Sequence, residues 1–208
     1  MGVGEVMLPA VFLDRDGVIN RLVLNPATGE YESPHHAEDL ELFPWTIEAL
    51  RILQQIGYRL FLISNQPSYA KGKTSIENIL AVHDKMHRIF GHNGIVFTDY
   101  FYCYHHPNGV VPELTIKCNC RKPGRYFLEQ AHRNYCFAAP DSWLIGDQVS
   151  DIVCGQSFGL KTILINDIHS KHKRAQSNPD YFADDLLGAV RIIIEKKKEV
   201  ERCTGISR

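Results

Sequence analysis

The sequence predicts an α/β fold of three layers, a parallel sheet with helices on both faces. Two observations predict it: short apolar runs that read as buried strands alternate with amphipathic segments of helical spacing, and this alternation continues along most of the chain. A third is size. With 208 residues, 44% hydrophobic and 23% charged, the chain is long enough to bury a real core in one domain.

The elements follow in order. Residues 9–14 (PAVFLD) read as the first buried strand. Residues 45–56 carry Ile47, Leu50, Ile52, Leu53 and Ile56 at helical spacing, and Gly57 stops that helix. Residues 58–64 are a second strand; residues 75–90 are a helix marked by Ile76, Ile79, Leu80, Val82, Met86 and Ile89. A third strand is expected over 95–104 and a helix over 125–134. Strands at 143–146 and 162–165 flank a helix at 149–158, and a helix at 184–198 closes the series, its run from Lys196 to Arg202 forming a polar face. No internal repeat, low-complexity tract or long linker interrupts the pattern, so residues 1–208 are read as a single domain.

Charge narrows the partners. Lys plus Arg total 23 against 24 Asp plus Glu, a net of −1, which leaves no positive field for a nucleic-acid backbone or an anionic membrane. No apolar run approaches the roughly 18 residues of a membrane helix, and residues 1–7 lack the cationic head and apolar stretch of a secretory signal. A cytoplasmic monomer without nucleic-acid or membrane partners is the expectation.

In parallel sheets ligands bind outside the carboxyl ends of the strands. The first strand ends in Asp14-Arg15-Asp16-Gly17, the second in Ser64-Asn65-Gln66, and the strand at 143–146 leads into Asp147 with Asp151 four residues on. Gly17 permits a sharp turn that lets Asp14 and Asp16 face one cavity. Carboxylates held close repel one another unless a cation sits among them, and an oxygen ligand set suits magnesium. A calcium loop is excluded: glycine falls at its fourth position rather than the sixth, and Asn25, not Glu, stands at the twelfth. Taken alone, Asp14 to Gly17 could equally be a turn.

It is not alone. The stretches Phe12-Leu-Asp14-Arg-Asp16-Gly17-Val-Ile-Asn20, Ile63-Ser64-Asn65-Gln66, Cys120-Arg121-Lys122-Pro123 and Ile145-Gly146-Asp147-Gln-Val-Ser-Asp151 resemble, in order, the four motifs of the haloacid dehalogenase superfamily of phosphatases. More narrowly they resemble the heptose 1,7-bisphosphate and histidinol-phosphate phosphatases, over most of the chain. The resemblance implies a Rossmann-like core over about residues 8–170 without a large cap domain. It also implies roles. Asp14 would be the nucleophile that forms an aspartyl-phosphate, and Asp16 the acid that protonates the leaving oxygen and then the base that activates water. Magnesium would be held by Asp14, the backbone carbonyl of Asp16, and Asp147. Ser64 and the following amides of Asn65 and Gln66 would bind the phosphate, with Lys122 balancing its charge. Asp151 would either orient the metal's surroundings or cap the next helix.

The cysteines point to a second metal. Cys103, Cys118 and Cys120 crowd with His105 into residues 103–120, whereas Cys136, Cys154 and Cys203 are scattered and read as small buried hydrophobes. Three thiolates and one imidazole match a closed tetrahedral zinc site, with His106 as a rival ligand and a set of free thiols as the alternative. Cys120 directly precedes Arg121 and Lys122, so a tethered thiolate would fix the start of that basic pair.

This loop also guides substrate choice. Its Cys103-Tyr-His-His-Pro107 stretch and length resemble the heptose enzymes more than the histidinol-phosphate enzymes. The implied reaction is magnesium-dependent removal of the C7 phosphate of D-glycero-D-manno-heptose 1,7-bisphosphate, a small sugar phosphate. Arg121 and Lys71, then Arg15 or Arg21, are the cations available to the phosphate that stays. The chain departs from the heptose enzymes at Pro67-Ser-Tyr-Ala-Lys71-Gly72, where Ser-Gly-Ile-Ala-Arg-Gly is usual, at Gln148, where Lys is usual, and in a longer segment between Asn20 and Leu42. Alternatives are another small phosphomonoester, a non-catalytic phospho-ligand module, and polynucleotide end processing, against which the neutral charge counts. His35 and His36 are assigned to solvent.

Overall fold

The structure, a computed structural model, describes residues 7–174 and 178–204; of the stretch read for a targeting signal, residues 1–7, the first six lie outside the described residues. Six parallel strands form the main sheet: β1 (Ala10–Leu13), β4 (Arg59–Asn65), β5 (Asp99–Cys103), β6 (Trp143–Gly146), β7 (Lys161–Ile165) and β8 (Tyr181–Ala183). They lie in the order β5-β4-β1-β6-β7-β8, so β1 is central, in register with β4 through Leu13↔Leu62 and with β6 through Leu13↔Ile145. An antiparallel hairpin, β2 (Val23–Asn25) and β3 (Glu30–Glu32), stands apart from this sheet.

Side chains that alternate across the strands explain the three layers. Val11 and Leu13 of β1 and Leu60 and Leu62 of β4 enter one core with Leu50 and Leu53 of helix α1 (Thr46–Gln55) and Val190 and Ile193 of helix α5 (Leu186–Thr204). The core also takes Val82, Met86 and Phe90 of helix α2 (Ile76–His92). Phe12, Phe61 and Leu144 point the other way, onto Leu128 of helix α3 (Tyr126–Tyr135) and Cys154 of helix α4 (Val149–Ser157). Each such fully buried side chain contributes about 1.5–3 kcal/mol. Both faces are therefore apolar, and only the strand ends remain for chemistry.

Three expectations are adjusted. The strand expected over 95–104 is shorter because Ile95 N still bonds Phe90 O, wrapping the end of α2 before β5 begins. The closing helix begins at Leu186, since Asp185 accepts from Gly188 N and caps it, and it runs on to Thr204. The long segment between Asn20 and Leu42 supplies the hairpin, and β8 adds an edge strand. All three of these strands are three residues long and of mixed polarity, too short to leave a period in sequence.

Among the described residues no helix is long and apolar enough to cross a membrane.

Candidate active site

The site is built where β1, β4 and β6 end. Asp14 N donates to Ile145 O at 2.9 Å, the last bond of the central ladder, and the chain then turns at Gly17 with φ +83°. A Cβ at Gly17 would lie 2.5 Å from Asp147 Oδ2, so glycine is needed for both its conformation and its lack of a side chain. The turn brings Asp14 against Asp147 and Asp151, with one oxygen of each within 4.8 Å of the others.

Lys122 reaches into this group from the opposite side. Its Nζ lies 2.9 Å from Asp14 Oδ1 and 2.6 Å from Asp151 Oδ1 and donates to Ile63 O at 2.7 Å. Burial alone would push this lysine down, but the charges of Asp14 and Asp151 outweigh it and hold the ammonium charged. Asp151 is pushed up to about 6, first by burial and against the pull of Lys122. Its Oδ2 also accepts from Gln148 N at 3.0 Å, so one carboxylate both caps α4 and pairs with the lysine.

Asp147 is the unsatisfied member. It is fully buried, and among the described residues neither carboxylate oxygen has a hydrogen-bond partner. Burial, then the charges of Asp14 and Asp151, pushes it well above the usual carboxylate range. An unpaired buried carboxylate is costly, and a hard divalent cation among these oxygen donors removes that cost, so the residues fit magnesium.

Asp16 sits differently. Its side chain is not in the carboxylate group; it accepts from Arg15 Nη2 at 3.0 Å, Asn20 Nδ2 at 2.9 Å, Ser33 Oγ at 2.9 Å and Gln66 Nε2 at 2.7 Å. Burial would raise its pKa, but Arg15 foremost, then these hydrogen bonds, hold it below the usual range.

The end of β4 is divided between contact and support. Ser64 Oγ accepts from Gln66 Nε2 at 2.9 Å, which leaves its own proton to be donated. Asn65 turns instead to Lys122, accepting from its N at 2.9 Å and donating to its O at 3.1 Å. Gln66 N is committed to Cys103 O at 2.7 Å, so that amide is not available to a phosphate as expected. Arg121 is half-buried, and its Nη1 lacks a hydrogen-bond partner among the described residues.

Of these groups Asp14, Asp16, Ser33, Asn65, Arg121 and Lys122 line a cleft of about 440 Å³ with Lys71, Lys73, His172, Lys173 and the hairpin residues Glu30, Tyr31 and Glu32. A second cavity of about 300 Å³ shares Leu22 with it and holds none of the expected catalytic residues. Sequence reasoning missed the hairpin contribution, whose one signal is the excess length between Asn20 and Leu42, and it missed Lys173, which carries no such signal. His35 was assigned to solvent, yet its Nε2 lies 3.3 Å from Glu32 Oε2 in a half-buried position; His36 is exposed.

Cys103, His105, Cys118 and Cys120 form one group beside the cleft. Cys120 Sγ lies 3.3 Å from Cys103 Sγ, 3.2 Å from Cys118 Sγ and 3.3 Å from His105 Nδ1. A tetrahedral zinc with bonds of about 2.3 Å has sulfur–sulfur edges of about 3.8 Å, so the donor set and spacing fit that ion. His106 accepts from Asn108 N and stays outside the group. Of the scattered cysteines only Cys154 is a buried hydrophobe. Cys136 is exposed because it takes the left-handed position (φ 47°) that ends α3, and Cys203 is exposed on the last turn of α5.

The HAD-hydrolase-like family matches residues 119–189. D-glycero-alpha-D-manno-heptose-1,7-bisphosphate 7-phosphatase of Photorhabdus laumondii is 31% identical over 90% of this chain and 97% of its own. The D-glycero-D-manno-heptose-1,7-bisphosphate 7-phosphatase of Chlorobaculum tepidum is 34% identical over 86% and 91%. A crystal structure of D,D-heptose 1,7-bisphosphate phosphatase from B. bronchiseptica, complexed with magnesium and phosphate, shares the fold: TM-score 0.74 over 91% of this chain and 99% of that chain, at 24% identity. The chain is thus a phosphoric monoester hydrolase of the haloacid dehalogenase-like class, and it belongs to the family of the D-glycero-D-manno-heptose-1,7-bisphosphate 7-phosphatases.

Proposed function

We propose that this chain removes the C7 phosphate of D-glycero-D-manno-heptose 1,7-bisphosphate through an aspartyl-phosphate on Asp14. The observation that carries the reading is the meeting of Asp14, Asp147, Asp151 and Lys122 at one buried point beneath a cleft rimmed by cations. Asp14 attacks phosphorus while the bond to the sugar oxygen breaks. Lys122 balances the transferring charge, and the free proton of Ser64 is available to a phosphoryl oxygen. Asp16 gives the leaving oxygen its proton and later accepts one from the attacking water. Asp14, Asp147 and the backbone carbonyl of Asp16 would hold magnesium, which when bound offsets the repulsion between nucleophile and phosphate. Arg121 and Lys71 stand at the cleft for the phosphate that remains.

Cys103, His105, Cys118 and Cys120 would hold a structural zinc, a closed site that anchors the loop leading to Arg121 and Lys122. The remainder of the reading is one domain over residues 1–208, acting as a cytoplasmic monomer. Phosphate release from both heptose 1,7-bisphosphate anomers and from histidinol phosphate, with metal analysis of the same sample, tests it. Preference for a heptose bisphosphate supports the assignment. A larger kcat/KM for histidinol phosphate would overturn it.

A further inference from the structure

Asp16 is held by more donors than a protonated carboxyl group can keep. Oδ1 accepts from Arg15 Nε at 3.1 Å, Arg15 Nη2 at 3.0 Å and Asn20 Nδ2 at 2.9 Å; Oδ2 accepts from Arg15 Nη2 at 3.1 Å, Ser33 Oγ at 2.9 Å and Gln66 Nε2 at 2.7 Å. These contacts saturate the roughly four acceptor positions of a carboxylate. A group that delivers a proton must first carry it, and an O–H aimed at any of these nitrogens meets another donor.

Arg15 has no acceptor to offer. The amide nitrogens of Asn20 and Gln66 are fixed by second bonds, to Arg21 O at 2.9 Å and Ser64 Oγ at 2.9 Å. Ser33 differs from all of them, because a hydroxyl donates in one rotamer and accepts in another. It also comes from a different place, the residue following β3. The hairpin is anchored without it: Glu32 pairs with Lys73 at 2.5 Å, and Tyr31 stacks on His169 with centroids 3.6 Å apart.

We propose that Ser33 is a positioning residue for the acid–base step, its hydroxyl turning between donor and acceptor so that Asp16 stays aimed through both of its protonation states. The inference rests on the phosphatase reading above. As the bond from Asp14 to phosphorus forms and that to the sugar oxygen breaks, the proton passes from Asp16 to that oxygen, and Ser33 changes from acceptor to donor. When water attacks the aspartyl-phosphate, its proton returns to Asp16 and the hydroxyl turns back.

The test compares two leaving groups. The sugar alkoxide needs a proton to depart, whereas p-nitrophenolate does not, and kcat/KM reports the first irreversible step. Ser33→Ala should lower kcat/KM for heptose 1,7-bisphosphate by about 10- to 100-fold more than for p-nitrophenyl phosphate, and Ser33→Thr should recover most of the loss. Equal losses on both substrates would overturn the proposal, since a merely structural role of Ser33 moves them together; so would no loss on either. If the unmutated protein releases phosphate from neither substrate, the reading of the whole site fails instead.

Discussion

At the scale of single residues, the site depends on side chains that never need to touch substrate. Asn65 is the clearest: two hydrogen bonds, 2.9 and 3.1 Å, fix the Lys122 backbone while the lysine ammonium spans Asp14 and Asp151. Removing that clamp leaves the chemistry intact but its charge misplaced. Asn65→Ala should therefore lower kcat by up to about 100-fold, the scale of a 1 Å displacement, with a smaller change in KM. Steady-state kinetics on the heptose bisphosphate checks the split. Gly17 is equally constrained: Gly17→Ala adds a methyl at 2.5 Å from Asp147 Oδ2 on a positive-φ backbone. Its expected outcome is loss of magnesium-dependent activity in a protein whose circular dichroism still reports the fold.

At the scale of elements, the loop after β5 and the pairing of α2 with β5 set the site's frame. The loop holds Cys103, His105, Cys118 and Cys120 in one group and passes directly into Arg121 and Lys122. Extraction of zinc by a chelator, or Cys120→Ser, should reduce turnover, while the Asn65 clamp preserves part of it. Atomic absorption before and after treatment, paired with activity, reads this; full activity at zero zinc would contradict it. On α2, His83 is buried and stacks on Tyr102 at 3.7 Å between centroids. Burial, then the charge of Arg15, pushes it down to about 3. A histidine lowered in the fold stabilises it above its unfolded pKa of about 6.5, and that stability is lost as pH falls toward the folded value. From pH 7 to 5 the loss from His83 alone should be about 2 kcal/mol. His83→Phe should flatten the dependence by that amount in denaturant unfolding.

At the scale of the whole molecule, the sequence carried the layers and the carboxylate rim, because both follow from patterns several residues long. The runs ending at Leu13, Asn65 and Gly146 are apolar on both sheet faces, so their polar ends stand out as the only sites for chemistry. What sequence concealed was orientation. Nothing local signals that Asn65 serves Lys122 rather than phosphate, that Gln66 N is spent on Cys103 O, or that Ser33 crosses 17 positions to reach Asp16. The hairpin escaped notice for a different reason: its three-residue strands have no buried face to leave a period.

Asp14 and Asp147, 133 positions apart in the chain, would share one magnesium ion that phosphate transfer requires. Titrating magnesium into the metal-free protein while measuring binding heat and phosphate release tests it most directly, with Asp147→Asn beside the unmutated chain. The expected result is saturable binding that tracks activity in the unmutated protein, and loss of both, by about 1000-fold in turnover, in the variant. Phosphate release that persists without magnesium, or that survives Asp147→Asn, would contradict it.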